Sequence, residues 1–277
     1  MNNENLTTHQ ELSGLLFPAE IKNTADHFPE TTFSDDLGKC VYLPKQNKVV
    51  QFCGRSYHLV HNRALIVPVY EKMVSIFGET GFKTEARSYD DKRFYVRFII
   101  EDSLHTVLRG DKVCPEIVIR NSYDGTVKQM VGVGYVRQIC ANGLMAFTSE
   151  ETVSMKHSKK FGAINLDPIF RKLENMEIKL GQFKRLSDRI VTPEELKKIA
   201  LEIRTKTAIK YPKKMIESAT LRAQKESYQL GAPLSAWLVY NGFNYPLNHN
   251  ETKLLPEEAS RIDKRVLGTI EKALALN

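Results

Sequence analysis

Around residue 80 the spacing of apolar residues changes, and beyond residue 140 it changes back; no single motif constrains the fold as much. In residues 67–77, Val67, Tyr70, Val74 and Phe77 recur at helical spacing, Pro68 sits in an expected first turn, and Gly78 and Gly81 end the run. From residue 82 the period falls to two. Residues 82–88 and 93–101 read as strands joined by Tyr89-Asp90-Asp91-Lys92. Residues 113–121 and 126–140 read as a second pair around Tyr123-Asp124-Gly125, where Asp-Gly suits a tight hairpin turn. Past Cys140 the helical period returns. Residues 164–190 place Leu166, Ile169, Phe170, Leu173, Met176, Leu180, Phe183 and Leu186 at spacings of three and four. Thr192-Pro193-Glu194-Glu195 supplies a Thr N-cap, Pro at the first helical position and Glu at the third, opening a helix to about residue 205. A basic helix is expected over 211–229, stopping at Gly231-Ala232-Pro233. Residues 234–245 are aromatic, and Pro256-Glu257-Glu258 starts a closing helix to 276. Helix, four antiparallel strands, then helices make an α+β fold, with a central antiparallel sheet of two hairpins following a helix and a helical C-terminal half.

Upstream, residues 1–36 show no clear apolar period apart from a weak helical signal around 9–16, and they hold Pro18 and Pro29. Two short strands, 40–43 and 48–52, follow around the turn Pro44-Lys45-Gln46-Asn47. The expected organisation is an acidic irregular arm (1–36), an antiparallel sheet core (37–150) and a basic helical region packed on it (151–277). Charge follows this division. The arm has seven acids and one lysine, whereas residues 156–225 carry 18 Lys and Arg against eight Asp and Glu. Either these are solvated faces, or the basic surface meets phosphate while the arm shields it or docks on a neighbouring subunit.

Composition excludes several classes. With 42% hydrophobic and 9% aromatic residues the chain can bury a core, so disorder is not its main state. The longest apolar run, near residues 64–70, falls far short of the roughly 20 residues of a membrane helix. Residues 1–32 lack an apolar signal-peptide segment, and Cys40, Cys53, Cys114 and Cys140 are scattered, so a cytoplasmic protein without a disulfide framework is expected. His58 and His61 would face opposite sides of a strand, which favours a structural role over metal ligation. Gly132 and Gly134 sit in a strand pattern with no following helix, so they form no phosphate cradle. Cys140 reads as a buried small hydrophobe. No catalytic constellation assembles, and neither cofactor nor metal is expected.

Three basic features remain. In Arg93-Phe94-Tyr95-Val96-Arg97-Phe98-Ile99-Ile100 the apolar residues take one face, leaving Arg93, Tyr95 and Arg97 on the other. Two guanidinium groups flanking a ring match a platform for single-stranded nucleic acid, with cations on phosphates and the ring on a base; arginine and tyrosine are also ordinary solvent-side strand residues. The second feature is Lys156, Lys159 and Lys160; the third is Lys206, Lys210 and Lys213, expected on one helical face. A membrane surface is disfavoured as partner, because these helices lack a strongly apolar opposite face.

The run Ile119-Arg120-Asn121-Ser122-Tyr123-Asp124-Gly125-Thr126, then Tyr135-Val136-Arg137-Gln138-Ile139-Cys140-Ala141-Asn142-Gly143-Leu144, resembles a phage- and plasmid-borne family of uncharacterised proteins. Its members carry an N-S-H-D-G-S-type turn and an R-x-V-C-x-N element; Tyr123 stands where the histidine is common. Trp237 to Gly242, leading to His249, looks like the family's late W-x-x-x-N…H element. The resemblance implies mobile-element biology in a bacterial host, and a structural part for these motifs, with Arg137 tying the turn to the Asn142-Gly143 junction. The element order is also similar to the core of ring-forming single-strand annealing proteins of recombination, a fold-level analogy. The leading expectation is therefore a homo-oligomeric protein, ring or filament, that binds and anneals single-stranded DNA without covalent chemistry. A protein-interaction module working through the acidic arm is the alternative. Metal-dependent strand cleavage around Asp111, Glu116 and Asp124 is the third.

Overall fold

A computed structural model describes residues 10–30, 37–54, 56–138, 142–144, 152–155, 157, 165–174, 177–206, 208–249 and 254–276. The described chain is α+β, with antiparallel sheets and a helical C-terminal half. It divides into two compact units that interleave along the sequence: residues 1–101, 116–133 and 149–171 in one, and 102–115, 134–148 and 172–277 in the other. The linear division at residues 37 and 151 does not coincide with them.

The first unit begins with α1 (Gln10–Ser13), β1 (Glu20–Asn23) and α2 (Thr24–His27), then β2 (Lys39–Leu43) and β3 (Lys48–Cys53). β1 pairs antiparallel with β2, and β2 with β3 across a 3-10 turn at Pro44–Gln46, where Asn47 takes the left-handed conformation. The segment read as an irregular arm is therefore partly built in. Leu12, Leu15, Phe17 and Ala19 are buried, and the Phe17 ring packs edge-on against Phe94 and Tyr123. The weak helical signal around 9–16 coincides with α1, and the buried apolar positions continue past it to Ala19.

Helix α3 (Asn62–Phe77) starts five residues before the expected Val67. Pro68 consequently lies inside the helix rather than in its first turn, and Leu65, Ile66, Val69, Tyr70 and Met73 form the inner face. Strands β4 (Lys83–Tyr89), β5 (Arg93–Ile99), β7 (Asp111–Ser122), β8 (Gln129–Arg137) and β10 (Thr152–Met155) follow in a sheet of order β10-β8-β7-β5-β4. The register sets Phe98 opposite Ile117 and Val96 opposite Ile119, so one face is apolar, and Tyr70 and Phe82 pack their rings on Phe98.

The second unit contains β6 (His105–Leu108) on the start of β7, and β9 (Asn142–Leu144) on the end of β8. With these are α5 (Glu177–Asp188), α6 (Pro193–Thr205), α7 (Ile216–Gln229), α8 (Ala236–Asn248) and α9 (Pro256–Ala273), while α4 (Asp167–Glu174) lies at the division. Within the stretch 164–190, expected to be helical, the described residues carry α4 and α5. The Thr192 hydroxyl accepts from the Glu195 N–H at 3.2 Å while the Glu195 carboxylate accepts from the Thr192 N–H at 3.0 Å, completing the box that starts α6. Helix α8 is buried along nearly its whole length, which explains why residues 234–245 read as aromatic without amphipathic period. Gly242 is the contact with α7: a Cβ there would sit 2.4 Å from the Ala219 carbonyl oxygen. Among the described residues no helix is long and apolar enough to cross a membrane.

Candidate nucleic-acid interface

Arg93, Tyr95 and Arg97 do share one face of β5. Antiparallel pairing puts Glu85 of β4 directly across from Arg97, and Glu116 on the neighbouring β7 two residues along from Val118, its direct partner. Arg97 Nε donates to Glu116 Oε2 at 2.5 Å and its Nη1 to Glu85 Oε2 at 3.0 Å. Arg93 Nε donates to the Thr126 hydroxyl at 2.9 Å and lies 3.4 Å from Asp124 Oδ2. Tyr95 is buried, its ring edge-on to Tyr89 at 5.3 Å. Burial opposes ionisation of Glu85, yet Arg97 and Lys83 hold its carboxyl below the ordinary carboxylate range. The two β5 guanidinium groups thus face three carboxylates, while Arg87 of β4 and Arg120 of β7 sit opposite Tyr95 on the same face.

Lys156, Lys159 and Lys160 lie outside the described residues. His157 between them is placed: its ring stacks on Tyr57 at 5.5 Å and its Nε2 is 3.2 Å from the Val127 carbonyl oxygen. The Tyr57 hydroxyl in turn donates to the Tyr123 carbonyl at 3.2 Å. His58 and His61 lie in the extended stretch entering α3, not in a strand, and with Glu20, Lys39 and Tyr57 they line an open depression of about 690 Å³.

Lys206, Lys210 and Lys213 do not share a helical face, contrary to the spacing argument. α6 ends at Thr205 with Lys206 as its cap, and Lys206 Nζ reaches Glu202 at 2.6 Å. Lys210 has φ of 59°, in the left-handed region, and Pro212 brings no N–H, so the helical path is broken before the 3-10 turn at Lys213–Met215. The connector is pinned from inside. Ile209, Tyr211 and Met215 are buried, and the Tyr211 hydroxyl donates to the Phe243 carbonyl at 2.9 Å. Its lysines are what remains outside: Lys210, Lys213 and Lys214 are exposed and form no ion pair with a described residue.

Sequence reasoning missed the most heavily bonded charge in the second unit. Arg137, fully buried at the end of β8, donates from Nε and Nη2 to the Asp111 carboxylate and from Nη1 to Glu226 Oε2 at 2.5 Å. Trp237 Nε1 donates to Asp111 Oδ2 at 2.8 Å, and the guanidinium lies 5.8 Å from the Trp237 ring. Arg222, stacked on Tyr245 at 3.2 Å, approaches the other oxygen of Glu226 at 2.9 Å. The signal available was that Asp111 and Arg137 occupy facing ends of a predicted hairpin, and that Trp237 is the chain's one tryptophan.

The motif residues are equally occupied. Asn121 donates to the Val60 carbonyl and to Asn62 Oδ1, both at 2.9 Å. The Ser122 hydroxyl bonds Val127 at both its carbonyl and its N–H. Tyr123 is buried, its hydroxyl accepting from the Asn62 N–H. Asp124 accepts from Thr126 within the turn, and Gly125 has φ of 67°, with the Gln51 side chain 2.9 Å from any added Cβ. Arg137 donates to the two carboxylates and pairs with Asn142 in the β8–β9 ladder. The acids named for strand cleavage each face an arginine, Asp111 with Arg137, Glu116 with Arg97 and Asp124 with Arg93. Among the described residues no three His, Cys, Asp or Glu side chains are grouped to hold a metal ion.

Residues 49–267 match the family described as a domain of unknown function (DUF932), and the chain belongs to that family. No curated protein and no solved structure matches it.

Proposed function

We propose that this DUF932 protein binds single-stranded nucleic acid without covalent chemistry, through the exposed cations of the α6–α7 connector, and anneals strands as a homo-oligomeric ring or filament acting in mobile-element recombination. The observation that carries the reading is a contrast in charge pairing: the β5 arginines are held by carboxylates, whereas Lys210, Lys213 and Lys214 stand exposed on a buried scaffold with no ion pair to a described residue. A rigid connector that aims three ammonium groups outward suits a flexible phosphate chain, which can adjust its spacing to theirs. The element order, α3 then the β4–β5 hairpin, then β7 and β8, then helices, is the order that carries the analogy to annealing proteins. The alternative, an interaction module using a free acidic arm, has less to stand on, because residues 12–23 are occupied in packing and strand pairing.

The test is binding of labelled single-stranded and duplex oligonucleotides across a salt series. The expected result is preference for the single strand. In the Lys210/Lys213/Lys214 triple alanine variant, the slope of log affinity against log salt falls by about 2, as three lost phosphate contacts require. Unchanged affinity and slope in that variant sink the site. No binding by the unaltered protein at low salt sinks the function.

A further inference from the structure

The connector leads directly into α7, and α7 has an outer stripe that the fold does not use. Its inner face is fully committed: Ile216, Ala219, Ala223 and Glu226 are buried, and Ala219 is in close contact with Gly242. Ser218, Leu221, Lys225 and Tyr228 recur at spacings of three and four, so they form one strip along the helix, and all four are exposed. Leu221 is 58% exposed and Tyr228 is 88% exposed. The Tyr228 side chain makes no hydrogen bond or ring contact with a described residue. Leaving a phenol and an isobutyl group in water beside an ammonium contributes nothing to stability. It does create a surface with flat apolar area and positive charge together.

Resting on the function proposed above, we infer that this α7 stripe is a base-stacking platform, with Tyr228 and Leu221 taking the faces of unpaired bases while Lys225 and the connector lysines hold the phosphates on either side. The occupant is a single strand rather than an anionic protein or a duplex. An acidic peptide would satisfy the lysines and leave the ring without a flat partner. A duplex keeps its base faces stacked internally and would offer the ring only phosphate and sugar. One helix therefore supplies both halves of single-strand recognition, cation and ring, without reading sequence, because every base has a π face.

The experiment compares Tyr228→Ala and Tyr228→Phe by fluorescence anisotropy on two probes, an oligothymidylate and an abasic phosphodiester chain of equal length. The expected result for Tyr228→Ala is an affinity for oligothymidylate lower by about tenfold, with unchanged salt slope and unchanged binding of the abasic chain. Tyr228→Phe should bind like the unaltered protein. Such an exposed side chain can be removed without disturbing the core, and circular dichroism of the variant checks this. Wild-type affinity in Tyr228→Ala, with the triple lysine variant still losing its salt slope, overturns the platform and leaves the phosphate-binding reading intact. Equal losses on both probes overturn it as well, since the ring would then not be sensing bases. Failure of the unaltered protein to bind either probe removes both proposals together.

Discussion

Arg97 on β5 and Arg137 on β8 look alike in the sequence, each a single cation set into a strand of aliphatic and aromatic residues, yet the two regions use them differently. In the sheet of the first unit Arg97 keeps 23% of its side chain in water and spans two carboxylates on flanking strands. In the second unit Arg137 has no water at all, and both of its carboxylate partners are buried with it. The former is an ion pair on an accessible face, whereas the latter is the polar centre of an apolar core that includes Trp237, Phe183 and Tyr135. A strand arginine is therefore not a marker of a binding face. What decides its meaning is the carboxylate that the register brings opposite it, and register is a property of pairing between strands.

The largest effect expected from this comparison is at the buried centre. Arg137→Met leaves Asp111 and Glu226 without their shared cation, and breaking a buried pair from one side typically costs about 3–5 kcal/mol. Urea denaturation should show that loss. A cost under about 1 kcal/mol would mean that the centre is wet enough to tolerate an unpaired Asp111 beside a Glu226 held by Arg222 alone, and the contrast with Arg97 would disappear.

Arg97→Ala is the corresponding change on the sheet face. It strands Glu116, whose side chain is fully buried, but Glu85 can turn to solvent, so a cost of roughly 1–3 kcal/mol is expected. The same variant has a second readout. With Arg97 gone, burial is no longer opposed by the adjacent guanidinium, and the Glu85 carboxyl should titrate higher in an NMR experiment. Its affinity for single strands should not change, because Arg97 is already spent on carboxylates. A loss of strand affinity comparable to that of the lysine variant would restore the β5 face as an interface.

Much of this architecture was legible in advance because it follows from periods. The shift from helical to alternating spacing located α3, β4, β5, β7 and β8, and the Thr192-Pro193-Glu194-Glu195 start of α6 was read to the residue. Three things were not legible, each for a physical reason. The packing of Phe17 depends on Phe94 in β5 and Tyr123 in the β7–β8 turn, far along the chain, which no local period reports. The Lys206, Lys210 and Lys213 stripe assumed a helix that Pro212 and the left-handed Lys210 interrupt, although the proline was visible in the sequence. The neutralisation of Arg93 and Arg97 needed the register that places Glu85 and Glu116 beside Arg97, and the turn that places Asp124 beside Arg93. Lys210 and Lys213, by contrast, were named from the sequence for a wrong geometrical reason, and both are exposed without an ion pair to a described residue, whereas Lys206 is held by Glu202.

The smallest expected effect concerns a polar group buried without a counter-charge, and it sharpens the comparison from the neutral side. His157 has no carboxylate of a described residue at hydrogen-bonding distance; its ring is half-buried against Tyr57 and meets the Val127 carbonyl. Burial pushes its pKa below the ordinary histidine value, against the opposing pull of the Val127 and His58 backbone bonds and of the Asp124 charge. A folded-state pKa that lies below the unfolded one stabilises the neutral form. That stabilisation is present in full above about pH 6.5 and is lost as pH falls through the unfolded and then the folded value. Urea midpoints measured from pH 8 to pH 5 should therefore fall on acidification by more in the unaltered protein than in His157→Gln, which can keep a donor toward Val127 and cannot take up a proton. Parallel pH profiles for the two would show that His157 is as well solvated folded as unfolded. The stack on Tyr57 would then hold nothing in place.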